Sequence, residues 1–166
     1  INQRLNAEMR EAKEEVELVF NTSPDAAVIS RLSDGFIVYA NEGFTTLSGF
    51  THQESIGRTS LDINIWKNPE DRQKIIGLLR EKGSVANFES QFQRKDGGLF
   101  NGLVSANIIN LQKIPHIITV TRDITERKQM EEKLKAMSLT DELTGLYNRR
   151  GFLALAEQQL KIAERT

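Results

Sequence analysis

Ile114-Pro115-His116-Ile117-Ile118-Thr119-Val120-Thr121-Arg122 runs directly into Asp123-Ile124-Thr125-Glu126-Arg127-Lys128. The first nine residues are rich in β-branched side chains, which suit a pleated strand. The next six open a helix. Asp123 or Thr125 can cap it, and Asp123-x-x-Glu126 has the spacing of a capping box. A strand that leads straight into a helix divides the chain. Everything before it reads as a finished, β-rich domain. Everything after it reads as a connecting helix and the start of something else.

Working back from that junction, two more long strands are expected, Val85 to Arg94 and Leu99 to Asn110. Arg94-Lys95-Asp96-Gly97-Gly98 and Asn110-Leu111-Gln112-Lys113 are their turns. A helix over Pro69–Lys82 precedes them. Asn68 can cap it, Pro69 stands in its first turn, and Glu70 and Asp71 favour its positive end. Ile75, Ile76, Leu78 and Leu79 give it a buried side, and Gly83 ends it. Residues 59–68 are irregular and hold the only Trp, Trp66. Gln53 to Arg58 forms a short helical turn. Asn41 caps another, with Phe44 and Leu47 on its apolar side and Gly49 as its stop. Ala26–Arg31 and Phe36–Ala40 make a hairpin around Asp34-Gly35.

Alternation assigns the faces. Phe88, Ser90 and Phe92 share one face of the first long strand. Phe100, Gly102, Val104, Ala106 and Ile108 share one face of the second; Ile117, Thr119 and Thr121 share one face of the third. On the opposite side, Leu103, Ile109, Ile118 and Val120 make a second apolar surface, which needs a cover.

At the front of the chain, Leu5, Met9, Ala12, Val16 and Val19 recur at four, three, four and three, a heptad seam over residues 1–20. Two readings stand: a helix lying on its own domain, or a helix paired with its twin in a homodimer. Met130, Leu134 and Met137 continue the pattern after the domain, in a linker helix over residues 125–140. The seam then changes phase, because its next position is Asp141.

Net charge is −1, with 22 basic and 23 acidic residues, so no basic excess serves nucleic acid. The chain has no Cys, hence no disulfide frame and no thiolate site. No apolar run reaches the ~20 residues of a membrane span, and no secretory signal stands at the front. A cytoplasmic location and no membrane contact from this segment are expected. The chain opens with Ile inside a helical pattern, which points to a piece of a longer protein.

Asn41-x-x-Phe44-x-x-Leu47-Ser48-Gly49-Phe50, Glu54-x-Ile56-Gly57-Arg58, Arg94-Lys95-Asp96-Gly97 and Asp123-Ile124-Thr125-Glu126-Arg127-Lys128 together resemble a PAS domain, over residues 21–124 and into the following helix. The resemblance implies an α+β fold: a five-stranded antiparallel sheet of order 2-1-5-4-3, with short helices covering one face around a small pocket. It places Ser90, Phe92, Gly102, Val104, Ala106, Thr119 and Thr121 as pocket candidates. A bound small molecule and a filled core remain the two alternatives. Cysteinyl-flavin photochemistry of the light-sensing subfamily is excluded for want of a Cys. Haem in such domains uses a His on the helix that here is Pro69–Lys82. The two His are His52 and His116, each an ordinary surface His on this reading, so haem is disfavoured and the pocket's cofactor is left unknown. No metal cluster is visible. The resemblance also implies that Asp123, Ile124 and Thr125 tie the last strand to the output helix. Asp123 is expected to pair with a base of the Arg94-Lys95 turn.

Asp141-x-Leu143-Thr144-Gly145-Leu146-x-Asn148-Arg149-Arg150-Gly151-Phe152 resembles the opening of a GGDEF domain, the catalytic domain of diguanylate cyclases, over residues 141–166. That family condenses two GTP to cyclic di-GMP with Mg²⁺ at paired domains. The GGDEF signature itself lies outside this sequence, so GTP and Mg²⁺ belong to missing residues and this chain is expected to be inactive. Asp141 with Arg149 or Arg150 is expected to hold the turn that opens the domain. The resulting expectation is a dimeric sensor that controls a cyclase. The alternative is a ligand-free dimerisation module.

Overall fold

The chain divides into two units, Ile1–Ile124 and Thr125–Thr166. The structure is a computed structural model that describes residues 2–137, 139, 141 and 143–163. The side chains of Leu5, Met9, Ala12 and Met137, assigned above to helical seams, lie outside the described residues.

In the first unit, α1 (Asn2–Thr22) leads into the hairpin β1 (Ala26–Arg31) and β2 (Ile37–Ala40). Gly35 takes φ 76°, and Asp34 Oδ1 accepts from the Phe36 N–H at 3.0 Å, which closes the turn. Three helices follow: α2 (Glu42–Ser48), α3 (His52–Ser55) and α4 (Pro69–Lys82). The long strands β3 (Ser84–Gln93), β4 (Leu99–Leu111) and β5 (Ile114–Asp123) complete the antiparallel sheet, in the order β2-β1-β5-β4-β3. This is the α+β architecture and strand order expected from the sequence.

Asn41 organises the front of the domain and is fully buried. Its Oδ1 accepts from Phe44 N–H and Ala27 N–H, both at 2.8 Å. Its Nδ2 donates to the carbonyls of Phe20 and Asp25, both at 3.0 Å. One amide therefore caps α2, completes the edge of β1 and fastens the end of α1. Gly43 is next to it because a Cβ there would sit 2.5 Å from the Asp25 carbonyl oxygen.

Three details depart from the sequence reading. Asn68 precedes α4 without a side-chain cap bond. The turn between β4 and β5 is only Gln112-Lys113, because both residues take positive φ (51° and 66°) and Leu111 pairs with Ile114. β3 carries a bulge between Val85 and Phe88, with Asn87 at φ 54°. The bulge shifts the alternation by one, so Val85 and Phe88 both turn towards the core.

The core lies between the sheet's inner face and the helices. Leu79, Val104 and Ala106 have no exposure, and Phe44, Ile75, Phe92, Phe100 and Ile117 surround them. On the outer face Leu103, Ile109, Ile118 and Val120 are half-buried. Val16, Leu18 and Val19 of α1 are 70%, 64% and 71% exposed among the described residues.

The second unit holds α5 (Thr125–Met137) and α6 (Arg149–Ala163). Between them, Asp141 accepts at Oδ1 from the N–H groups of Leu143 and Thr144 and from the Thr144 hydroxyl. These bonds hold the Asp141 carboxylate below its ordinary range. Asn148 Oδ1 caps α6 through Gly151 N–H at 2.9 Å, and any Cβ on Gly151 would strike the Leu139 carbonyl.

Candidate functional site

A cavity of about 100 Å³ lies on the inner face of the sheet. β1 supplies Ala26, Val28 and Ser30; β5 supplies Ile117, Thr119 and Thr121; α4 supplies Arg72, Ile75, Ile76 and Leu79. The irregular segment 59–68 adds Ser60, Ile63, Ile65 and Trp66 as another wall. That segment is anchored by main-chain bonds to the sheet: Lys67 N–H donates to Gln91 O at 3.1 Å and Gln93 N–H to Ile65 O at 2.8 Å.

Of the residues placed in the pocket from sequence, the structure brings Phe92, Thr119 and Thr121 together around the cavity. Gly102, Val104 and Ala106 share the inner face but are covered. The Phe92 ring lies over Gly102, where a Cβ would come within 2.5 Å of it. Phe92 in turn stacks on Phe100 at 5.2 Å and tilts against Trp66 at 4.7 Å. The room left by Gly102 on β4 is thus filled by the Phe92 ring, and the cavity lies towards β1 and β5. Ser90 turns its hydroxyl to Asp71 Oδ2 at 2.9 Å and joins β3 to α4. Hydrogen bonds from Lys74 and then Ser90 keep the Asp71 carboxylate below its ordinary range.

Sequence reasoning missed the polar group of the site. Arg72 lines the cavity, and its Nε donates to Ser60 Oγ at 3.1 Å. Trp66 Nε1 donates to the same oxygen at 3.0 Å. Burial pushes the Arg72 guanidinium down from its ordinary value. The signal was legible: 72, 75, 76 and 79 form one helical stripe, so a cation stands in the apolar side of α4.

Neither His is a surface residue, contrary to the sequence reading. His52 is half-buried and donates from Nε2 to Ala40 O at 2.7 Å. His116 is only 7% exposed and donates from Nδ1 to Ile114 O at 2.8 Å. Among the described residues, no cluster of three His, Cys, Asp or Glu is placed to hold a metal ion.

The exit from the sheet is fastened at both of its final residues. Asp123 Oδ2 accepts from Arg94 Nη2 at 3.0 Å, the pair that the sequence suggested. Arg94 also donates to the Leu47 carbonyl of α2 and stands over the Phe100 ring at 4.7 Å. Arg122 forks onto Asp25 with Nη2–Oδ2 at 2.8 Å, and that carboxylate raises the guanidinium's pKa. Ile124 is buried and bonds to Asn101 O at 2.8 Å. Thr125 is the first residue of α5. Lys95 ties α3 to the same turn through Glu54 at 2.6 Å. That bond, with the Thr51 N–H, lowers the Glu54 carboxyl from 4.5 to about 2.

In the second unit Met130 and Leu134 are 58% and 67% exposed. Asp141 bonds to Thr144 and Asn148 caps α6, whereas Arg149 and Arg150 begin α6 with exposed side chains.

A family model described as a PAS domain matches residues 24–126. The chain belongs to the PAS domain family. Among curated relatives it is 26% identical over 152 residues to diguanylate cyclase DgcM of Escherichia coli K12, covering 87% of this chain and 36% of that protein. The chain therefore spans about a third of that relative's length. The PAS domain of an HTR-like protein from Haloarcula marismortui superposes with a TM-score of 0.61 at 24% identity, over 74% of this chain and 99% of that one. The PAS domain of a Colwellia psychrerythraea protein gives 0.59 at 24% identity, over 70% and 99%. These likenesses carry the fold. No helix among the described residues is long and apolar enough to cross a membrane.

Proposed function

We propose that this chain is the sensory and regulatory module of a diguanylate cyclase. A ligand taken into the cavity, or a redox event there, alters β5 and passes through Asp123, Ile124 and Thr125 into α5. Cyclic di-GMP synthesis by the domain that begins near Asp141 is the output. The observation that carries this reading is the extent of similarity to the cyclase: 87% of the chain, well beyond the PAS match at 24–126. The geometry supports a route, since Thr119 and Thr121 line the cavity and Asp123 ends the same strand. An allosteric shift of ~1–3 kcal/mol along it changes activity about 5–150-fold.

The cavity's size supports a small ligand over a haem or flavin, whose class of site spans ~300–1,000 Å³. Neither His52 nor His116 lines the cavity, which also speaks against haem ligation there. The exposed Val16, Val19, Met130 and Leu134 support pairing of both helices with a second copy, and Leu103, Ile109, Ile118 and Val120 offer that copy an outer sheet face. The presence of a cavity favours this reading over a filled-core dimerisation module. The test is Asp123→Ala in the full-length protein, with cyclic di-GMP synthesis measured across signal conditions. Loss of regulation with retained synthesis is expected. Regulation identical to the parent sinks the route through Asp123.

A further inference from the structure

The cavity contains hydrogen-bond donors that the chain itself does not use. Arg72 spends Nε on Ser60. Among the described residues, its two terminal nitrogens meet no carboxylate and no hydrogen-bond acceptor. Nη2 instead lies against Gly35, where a Cβ would be 2.6 Å away. The Ser60 oxygen receives both Trp66 Nε1 and Arg72 Nε. Its two lone pairs are then occupied, and its own O–H is left to donate elsewhere. The Arg72 terminal nitrogens are not sealed from solvent, so a ligand that displaces water there must supply their acceptor and their counter-charge. The other walls are mainly apolar: Ile63, Trp66, Ile75, Leu79 and Phe92.

We propose that the cavity binds a small monocarboxylate, held at its charged end by the Arg72 fork and the Ser60 hydroxyl, with its hydrocarbon tail between α4 and the sheet. A guanidinium offers parallel donors that match the two oxygens of a carboxylate. One cation balances one negative charge, and among the described residues Arg72 is the only charged residue of the lining, so a phosphate's second charge would go unbalanced. Size limits the tail. An apolar cavity of about 150 Å³ takes a benzene ring, so about 100 Å³ suits a tail of about four carbons. The proposal rests on the reading of this cavity as the sensory pocket and names what it senses.

The test uses isovalerate and its neutral amide, isovaleramide, on the full chain, followed by calorimetry and thermal unfolding. Isovalerate is expected to bind saturably and raise Tm, with the amide about tenfold weaker or more, as loss of a charge-assisted contact predicts. Arg72→Met should remove that preference without lowering the ligand-free Tm appreciably, since the charge it removes has no anionic partner. Arg72→Lys should restore part of it. Ser60→Ala, several-fold weaker for the acid alone, is the second variant should Arg72→Met not fold. Equal binding of acid and amide overturns the carboxylate assignment and leaves a sensory cavity standing. Absence of binding by either at millimolar concentration overturns it as well. The sensory reading is tested separately. Saturable binding of isovalerate with unchanged cyclic di-GMP synthesis by the full-length protein removes that reading and leaves the binding site.

Discussion

Replacing Asn41 by Ala removes four hydrogen bonds with one amide. The Ala27 N–H loses its partner, which at a buried site costs about 1–3 kcal/mol. Phe44 N–H keeps a main-chain bond to Asn41 O at 3.1 Å, so loss of the cap costs the ordinary ~1 kcal/mol. The carbonyls of Phe20 and Asp25 are part-buried and recover water in part. Together the loss is about 3–4 kcal/mol, a large share of the ~5–15 kcal/mol that holds a domain. At roughly 4 °C per kcal/mol, Tm falls by about 12–16 °C. Asn41→Asp separates the halves of the network. It keeps an acceptor for Ala27 and Phe44 but sets a carboxylate against two carbonyls, so the α1 end should loosen more than α2. Denaturant titration gives the total, and amide hydrogen exchange at residues 20–27 and 42–48 gives the partition. An Asn41→Ala change within about 0.5 kcal/mol, the range of an ordinary surface substitution, refutes the network as a fastening.

Other consequences are testable in the same way. Gly102→Ala sets a methyl 2.5 Å from the Phe92 ring and 2.7 Å from Thr121, so it should destabilise by about 1–3 kcal/mol and push Phe92 towards the cavity, read by Tm and by loss of ligand binding. Glu54, with its folded pKa near 2 against an ordinary 4.5, adds stability above the ordinary value that disappears as pH falls from there towards 2. Lys95→Met should return the Glu54 carboxyl towards its ordinary value in an NMR titration, and an unmoved titration removes Lys95 as the cause. Arg122→Met breaks an exposed pair with Asp25 and should leave Tm almost unchanged, while exchange at the end of α1 quickens; a marked loss of Tm would contradict the surface character of the pair.

The elements were legible because their signals are local, while their order in the sheet came from the family resemblance. Asn41 before Phe44, Gly49 after Ser48, Pro69 opening α4 and alternation along β4 and β5 each act within a few residues. The site was less legible because its geometry comes from long-range packing. Alternation puts Thr119 and Thr121 on one face, and the PAS resemblance turns that face inward. Gly102, Val104 and Ala106 share the right face, but Gly102 is covered by the Phe92 ring and the other two are buried away from the cavity, which no spacing on β4 reveals. The Val85–Phe88 bulge and the left-handed Gln112-Lys113 turn lack the Gly that usually announces positive φ. Arg72 was readable as a cation in an apolar stripe, but its meaning depends on Ser60, twelve residues earlier, being beside it.

Ala26, at the start of β1, is the ladder partner of Thr121, near the end of β5. The polypeptide thus arrives at the sheet and departs from it one rung apart. A folded unit with adjoining ends can be spliced into a continuous track of helices without lengthening the gap it must bridge. Such a unit can be duplicated in tandem, exchanged for another of different pocket chemistry, or excised, while the flanking chain keeps its course. Recombination between genes would need to preserve only that rung, together with Asn41 and Asp25, which pin the incoming strand.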